Sequence, residues 1–184
     1  MPEIPLPILT ERLVLRRFTA DDLTAYHAYR SLEETARFLP SGPHKITTAM
    51  QVVGKYSNFV FEQVGDWVSL AVEAKGSPVL LGEVVLKWLP GRGQGEVGWI
   101  LAPAGRGKGY ATEAAEAMLK LGFETLGMHR IEARLDALNG ASAAVCQRLG
   151  MQHEATLREN SFANGVWSSE ARYAIFASEW KSSH

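Results

Sequence analysis

Ala104-Gly105-Arg106-Gly107-Lys108-Gly109-Tyr110 is the stretch on which the reading of this chain turns. It stands between Glu96 to Leu101, which reads as a strand, and a helical period that begins after Gly109. A loop in that place presents the unpaired N–H groups of a helix's first turn and its positive dipole end, and both attract phosphate. Glycine lets the backbone approach an anion closely. Arg106 and Lys108 add charge suited to a pyrophosphate or a ribose phosphate. A Gly-rich surface turn without a ligand is the plain alternative. Two nucleotide motifs fail here. A Walker A loop needs Gly-Lys followed by Ser or Thr, but Lys108 is followed by Gly109. A dinucleotide fingerprint anchored at Gly107 needs a third glycine where Thr112 stands. Kinase and dehydrogenase readings fall away.

Downstream of the loop, Ala111, Ala114, Ala115, Met118, Leu121 and Leu126 lie on or near one helical face, with Glu113, Glu116 and Lys120 off it. The acids come early and the lysine late, as the helix dipole favours. Arg130 to Leu135 alternates as a strand. Asn139 can cap a short Ala-rich helix that Gly150 closes, and Leu157 to Phe162 can pair with Trp167 to Phe176 around Asn164-Gly165. Upstream, Trp67 to Glu73, Leu81 to Leu89 and Glu96 to Leu101 read as strands with short separators, so they should form an antiparallel meander. Leu13-Val14-Leu15 opens the chain as a strand. Thr19-Ala20-Asp21-Asp22 then starts a helix carrying Leu23, Tyr26 and Tyr29, and a further helix from Thr47 carries Met50, Val53 and Tyr56. The whole is a mixed sheet flanked by helices.

The chain has 184 residues and 46% apolar content, which fits one globular domain over 1–184. Lys plus Arg total 19 against 20 Asp plus Glu, so there is no net positive field to hold nucleic acid. Apolar runs such as Pro78-Val79-Leu80-Leu81 are too short to span a bilayer, and the Met1 segment lacks a charged start followed by an apolar core. We therefore expect a cytoplasmic protein with no membrane partner. One cysteine, Cys146, forbids an internal disulfide and a cysteine-rich zinc site. None of His27, His44, His129, His153 and His184 stands in a His-Glu-x-x-His spacing, so no metal is expected.

The glycine loop followed by Tyr110-Ala111-Thr112-Glu113-Ala114 resembles the pyrophosphate-binding motif of the GNAT acetyltransferase superfamily: Gln or Arg, two residues, Gly, any, Gly or Ala. Gly107 and Gly109 match, and Ala104 stands where Gln or Arg is usual. Four further pieces occur in order over nearly the full length: Thr10-Glu11-Arg12-Leu13-Val14-Leu15-Arg16, Gly95-Glu96-Val97-Gly98-Trp99-Ile100, Asn139-Gly140-Ala141-Ser142 with Leu149-Gly150-Met151, and Asn164-Gly165-Val166-Trp167. Together they resemble the ribosomal-protein alanine N-acetyltransferase (RimJ/RimL-like) branch.

The resemblance implies the α/β (α+β) GNAT fold, with a mixed, mostly antiparallel sheet splayed at the acyl-CoA site and flanked by helices. It implies a monomer or homodimer that moves an acetyl group from acetyl-CoA to an amine. The strand before the loop and the strand Arg130 to Asp136 would part there, with the pantetheine arm lying along the exposed backbone like an added strand. Gly98 would mark a bulged or closely approached backbone. The coenzyme would then contact Val97, Gly98, Trp99, Ile100 and Leu101 on the strand, Arg106, Gly107, Lys108, Gly109, Tyr110 and Ala111 at the loop, and Asn139 and Ser142 beyond it. Main-chain N–H groups on Val97 to Ile100 would face the thioester oxygen.

Amide formation needs an unprotonated amine, a polarised carbonyl and a way to protonate the departing thiolate. Ser142 falls in the first turn of the helix that Asn139 caps, near a dipole end that favours a developing thiolate, and is the preferred hydroxyl donor. An ordinary helix-start serine is the competing reading. Many relatives use a tyrosine later in this helix, but Cys146 occupies that place. Glu96 is the first choice of carboxylate, with Glu83 and Glu159 as rivals. The acceptor stays open between a peptide N-terminus and a small molecule such as a polyamine, an amino sugar or an antibiotic, and a sensor that binds acyl-CoA without turnover is a third reading.

Overall fold

The computed structural model describes residues 4–163 and 165–183, so residues 1–3, Asn164 of the expected Asn164-Gly165 turn, and His184 lie outside the described residues. Strands β1 (Ile8–Leu9) and β2 (Leu13–Arg16) open the chain, and β2 buries Leu13 and Leu15 by the period of two that the sequence shows. The short β1 was not foreseen. A capping box between Thr19 and Asp22 closes a single 3-10 turn, and α1 (Leu23–Arg30) follows with Tyr26 and Tyr29 buried. The Pro- and Gly-broken region then holds α2 (Glu33–Ala36), also unforeseen, and α3 (Ile46–Ser57). Met50, which the helical period groups with Val53 and Tyr56, is 56% exposed. The buried face of α3 is instead Ala49 and Val53, four residues apart, which turns Met50 outward.

Strands β3 (Trp67–Ala74), β4 (Leu80–Leu89) and β5 (Gln94–Leu101) form the antiparallel meander that the short separators predict. Next comes α4 (Tyr110–Lys120), which passes into a five-residue π turn over Leu121–Thr125 and leaves Leu126 past the helix end. A helical crossover allows a parallel partner, and β6 (Arg130–Asp136) pairs parallel with β5. Then α5 (Gly140–Arg148), β7 (Gln152–Ala163), β8 (Val166–Phe176) and α6 (Ala177–Ser183) complete the described chain. β7 starts at Gln152 rather than Leu157, because two register shifts let it bend and stay paired with β8. The eight strands run in the order β1-β2-β3-β4-β5-β6-β8-β7, and among them only β5 and β6 are parallel neighbours.

Each face of this sheet has its own core. Met118 and Leu119 of α4, Val145 and Leu149 of α5 and Trp180 of α6 cover one face against Leu70, Leu86, Val97 and Ile131. Tyr26 and Tyr29 of α1 with Ala49 and Val53 of α3 cover the β3–β4 end of the other face against Ala71. Among the described residues that second core includes no side chain of β6 or β8, which carry Arg130, Glu132, Arg134, Glu170 and Arg172 and leave this part of the face uncovered by it. No helix of the described chain is long and apolar enough to cross a membrane.

Candidate active site

The glycine loop meets the requirements for an anion site. Gly105 N–H donates to Ala102 O at 2.9 Å and Arg106 N–H to Pro103 O at 3.2 Å, while α4's first long-range rung runs from Glu113 N–H to Gly109 O at 3.1 Å. Between these, the N–H groups of Gly107, Lys108 and Gly109 find no acceptor among the described residues. Gly107 and Gly109 have φ of +73° and +79°, conformations that L side chains rarely adopt. A Cβ at Gly107 would meet nothing within 4 Å, so the space above that amide is open.

The loop is braced by a part of the site that sequence reasoning missed. Glu113, read above as an acid on the outer face of the helix, accepts from Thr10 Oγ1 at 2.6 Å, Arg12 N at 2.7 Å and Arg12 Nε at 2.7 Å. Burial by itself would raise the Glu113 carboxyl, but these Thr10 and Arg12 hydrogen bonds outweigh it and hold it below the usual range. Arg12 also donates from Nη1 to Lys108 O at 2.9 Å and lies 4.9 Å over the Tyr110 ring. Strand β2's entrance is therefore tied to the front of α4. The only sequence signal was that Thr10-Glu11-Arg12 and Thr112-Glu113 both belong to the family pattern.

Beside the loop the sheet opens. Parallel pairing of β5 with β6 covers Gln94 with Arg130, Gly95 with Ile131 and Glu96 with Glu132, and then ends. From Val97 to Leu101, β5 keeps its antiparallel partner β4 on one side and has no strand on the other. Alternate N–H and C=O groups along that edge can pair with an extended ligand. Gly98 pairs with Val85 without a register shift, so it is not a bulge, and an added Cβ would come within 3.1 Å of Val85 Cγ1.

A family model described as the acetyltransferase (GNAT) domain matches residues 12–152. The chain belongs to the GNAT acetyltransferase family. The uncharacterized N-acetyltransferase YnaD of Bacillus subtilis is 31% identical over 94% of this chain and 98% of its own. A crystal structure of a GNAT-family acetyltransferase from Bacillus anthracis aligns with a TM-score of 0.85 at 31% identity, covering 94% of this chain and 99% of that one. The spermidine N-acetyltransferase of Vibrio cholerae, solved in complex with CoA and spermine, shares the fold at a TM-score of 0.77 and 22% identity, over 92% of this chain and 98% of that one.

In this GNAT acetyltransferase Asn139 caps α5 as the sequence predicts, its Oδ1 accepting from Ser142 N–H at 3.1 Å. Because Asn139 performs the capping, the half-buried Ser142 hydroxyl is left with no hydrogen bond among the described residues. Cys146, one turn further on, is fully buried, and that burial pushes its thiol up to about 12. It packs as a small apolar side chain.

The three carboxylates sit in different settings. Glu96 lies on the uncovered face at the end of the β5–β6 pairing, with Arg134 Nε 3.7 Å away. Burial raises its carboxyl, with Glu132 and Glu170 adding to the shift and Arg134 and Lys87 opposing it. Glu83 is buried under α1 beside Tyr29 and Arg30, and that burial lifts it to about 7. Glu159 is exposed on β7 at a φ of +48°, away from both. The two basic loop residues also differ. Lys108 Nζ donates to Ala104 O at 3.0 Å, whereas Arg106 reaches out of the loop to Glu34 and Thr35 of α2.

Proposed function

We propose that this GNAT N-acetyltransferase acts as one domain over 1–184 and transfers the acetyl group of acetyl-CoA directly to a primary amine, the α-amino group of a peptide N-terminus, as a RimJ/RimL-like enzyme. The observation that carries the reading is the row of unpaired Gly107, Lys108 and Gly109 amides at the front of α4, beside a strand edge from Val97 to Leu101 that has no partner. The amides, with Tyr110 and Ala111 at the helix start, would hold the diphosphate. The Val97–Leu101 edge would take the pantetheine arm, and a strand N–H would face the thioester oxygen. Ser142, its hydroxyl unengaged, would give a proton to the departing thiolate, with Asn139 holding the helix start in place.

Glu96, whose carboxyl is raised by burial, would take the proton that the amine loses. An α-amino group with an ordinary pKa of about 8 asks less of that base than a lysine at about 10.4. Around the opening, Glu132 pairs with Arg130 and Arg134 and Glu170 with Arg172, while Arg130 is shared with Glu154 and Arg134 with Glu96, so acids and bases interleave there. The test is thiol release from acetyl-CoA with peptides whose N-termini are free or formylated, and with spermidine in parallel. Release with free N-termini alone supports the reading. Release with spermidine and with no peptide replaces the acceptor by a polyamine, and release with no amine at all removes the transferase reading.

A further inference from the structure

Arg106 belongs to the glycine loop, yet its side chain is spent on a different segment. Nη1 donates to Glu34 Oε1 at 2.8 Å, Nη2 to Thr35 Oγ1 at 2.6 Å and Nε to Leu101 O at 3.1 Å. Glu34 and Thr35 sit on α2, a four-residue helix without a side-chain cap, within the segment 31–43. That segment is closed at its base, where His44 N–H donates to Arg30 O at 2.8 Å and Arg30 Nη2 meets His44 Nε2 at 2.9 Å. It is thus a compact surface loop with adjacent ends, and its far side is fastened to the glycine loop through the Arg106 side chain.

Beneath it lies the most polar part of the interior. Arg30, His44, Ser69 and Glu83 are each less than a tenth exposed, among the rings of Tyr26, Tyr29 and Tyr56. Ser41 of the segment accepts from Arg30 Nη2 at 3.2 Å, and Arg30 Nε stands 3.6 Å from Glu83. Among the described residues, Arg30 Nη1 and His44 Nδ1 are buried without a hydrogen-bond partner, and Tyr26 OH, Arg30 Nε and Ser69 Oγ have only long contacts, to Arg30, Glu83 and Tyr56 in turn. Buried polar atoms with poor partners are costly, and a group of them in one place would be relieved by a polar guest. Glu83 pairs across the sheet with Ile100, on the strand whose other edge is unpaired.

We propose that Arg106 is a latch shared by the two substrates: without coenzyme it holds segment 31–43 shut through Glu34 and Thr35, and a diphosphate in the glycine loop draws it away, opening the Glu83 cluster as a subsite for a hydrogen-bonding amine acceptor. The inference rests on the glycine loop being the coenzyme site. Glu34 offers one charge on a mostly exposed side chain, and an exposed pair is weak. A diphosphate offers more charge and several oxygens at charge-assisted distance, so it wins the guanidinium. Lys108 cannot play this part, because its ammonium is tied to Ala104 O inside the same loop.

Hydrogen exchange with and without CoA reads both ends of the latch. In the wild-type chain CoA should slow exchange over 107–112 and speed it at Thr35, Ala36, Leu39 and Gly42, whose amides are bonded within the closed segment. Glu34→Gln, on an exposed side chain, should show the faster exchange without CoA and bind CoA about fivefold more tightly, since the competitor for Arg106 is gone. Arg106→Ala should exchange fast in 31–43 whether or not CoA is added. Protection of 107–112 with unchanged or slower exchange over 31–43 would overturn the latch while leaving the coenzyme site standing. Unchanged exchange at both places would overturn the coenzyme site and the latch together.

Discussion

Replacing Gly107 by valine separates ligand recognition from folding. The position has φ of +73°, and a β-branched residue there costs about 1–2 kcal/mol or somewhat more in backbone strain. A Cβ at this site meets nothing within 4 Å, so packing adds no further penalty. The same bulk stands where an anion must come close to the Gly107 and Lys108 amides. Losing two charge-assisted hydrogen bonds at about 1.5–3 kcal/mol each would weaken coenzyme binding by roughly two to four orders of magnitude. Gly76 supplies the control: its φ is +76°, a Cβ there also meets nothing within 4 Å, and it sits in the turn between β3 and β4. Gly76→Val should lose comparable stability and keep its affinity. Calorimetric titration with CoA, together with thermal melts of both variants, makes the comparison. If folded Gly107→Val binds CoA like the wild type, or if Gly76→Val loses affinity equally, the amide cradle is not the binding site.

Three further outcomes follow from the geometry. Ser142→Ala should lower kcat about a hundredfold, as expected for a lost proton donor, and leave Tm in place, because Asn139 supplies the cap. Asn139→Ala should do the reverse in stability, costing about 1 kcal/mol and about 2–4 °C in Tm; equal melting of the two variants would contradict that division of labour. Burial lifts the Glu83 carboxyl from its usual 4.5 to about 7, so between those pH values the folded chain keeps a proton that the unfolded chain has released. Stability should therefore fall as pH rises through that window, by about 3 kcal/mol at most, and Glu83→Gln should flatten the slope of Tm against pH. Cys146, buried and with its thiol pushed up to about 12, should not react with a disulfide reagent in the folded protein, so released CoA can be followed by that chemistry; rapid labelling before turnover would refute the burial.

Local pattern made much of this molecule legible. The alternation in Leu13 to Leu15, the short separators between β3, β4 and β5, and the Asn139 cap all depend on neighbours in the chain, and each appears where the sequence places it. What was missed depends on distant contacts. β1 and α2 are two and four residues long, too short for a period to register, and they exist because β2 and the Arg106 side chain receive them. Met50 points outward because the tertiary fold selects the Ala49–Val53 face of α3 over its neighbour.

At the candidate site, the glycine loop, its place before α4 and the Asn139 cap ahead of Ser142 are legible in the chain alone, since each is a matter of a few consecutive residues and their backbone freedom. Long-range contacts set the rest: the β5–β6 pairing stops at Glu96, Glu113 locks onto Thr10 and Arg12, Arg106 reaches Glu34 and Thr35, and Glu83 is buried while Glu159 is not. The physical reason is the same in each case: strand divergence, cross-sheet ion pairing and desolvation are set by groups tens of residues apart, and no local propensity encodes which of them meet.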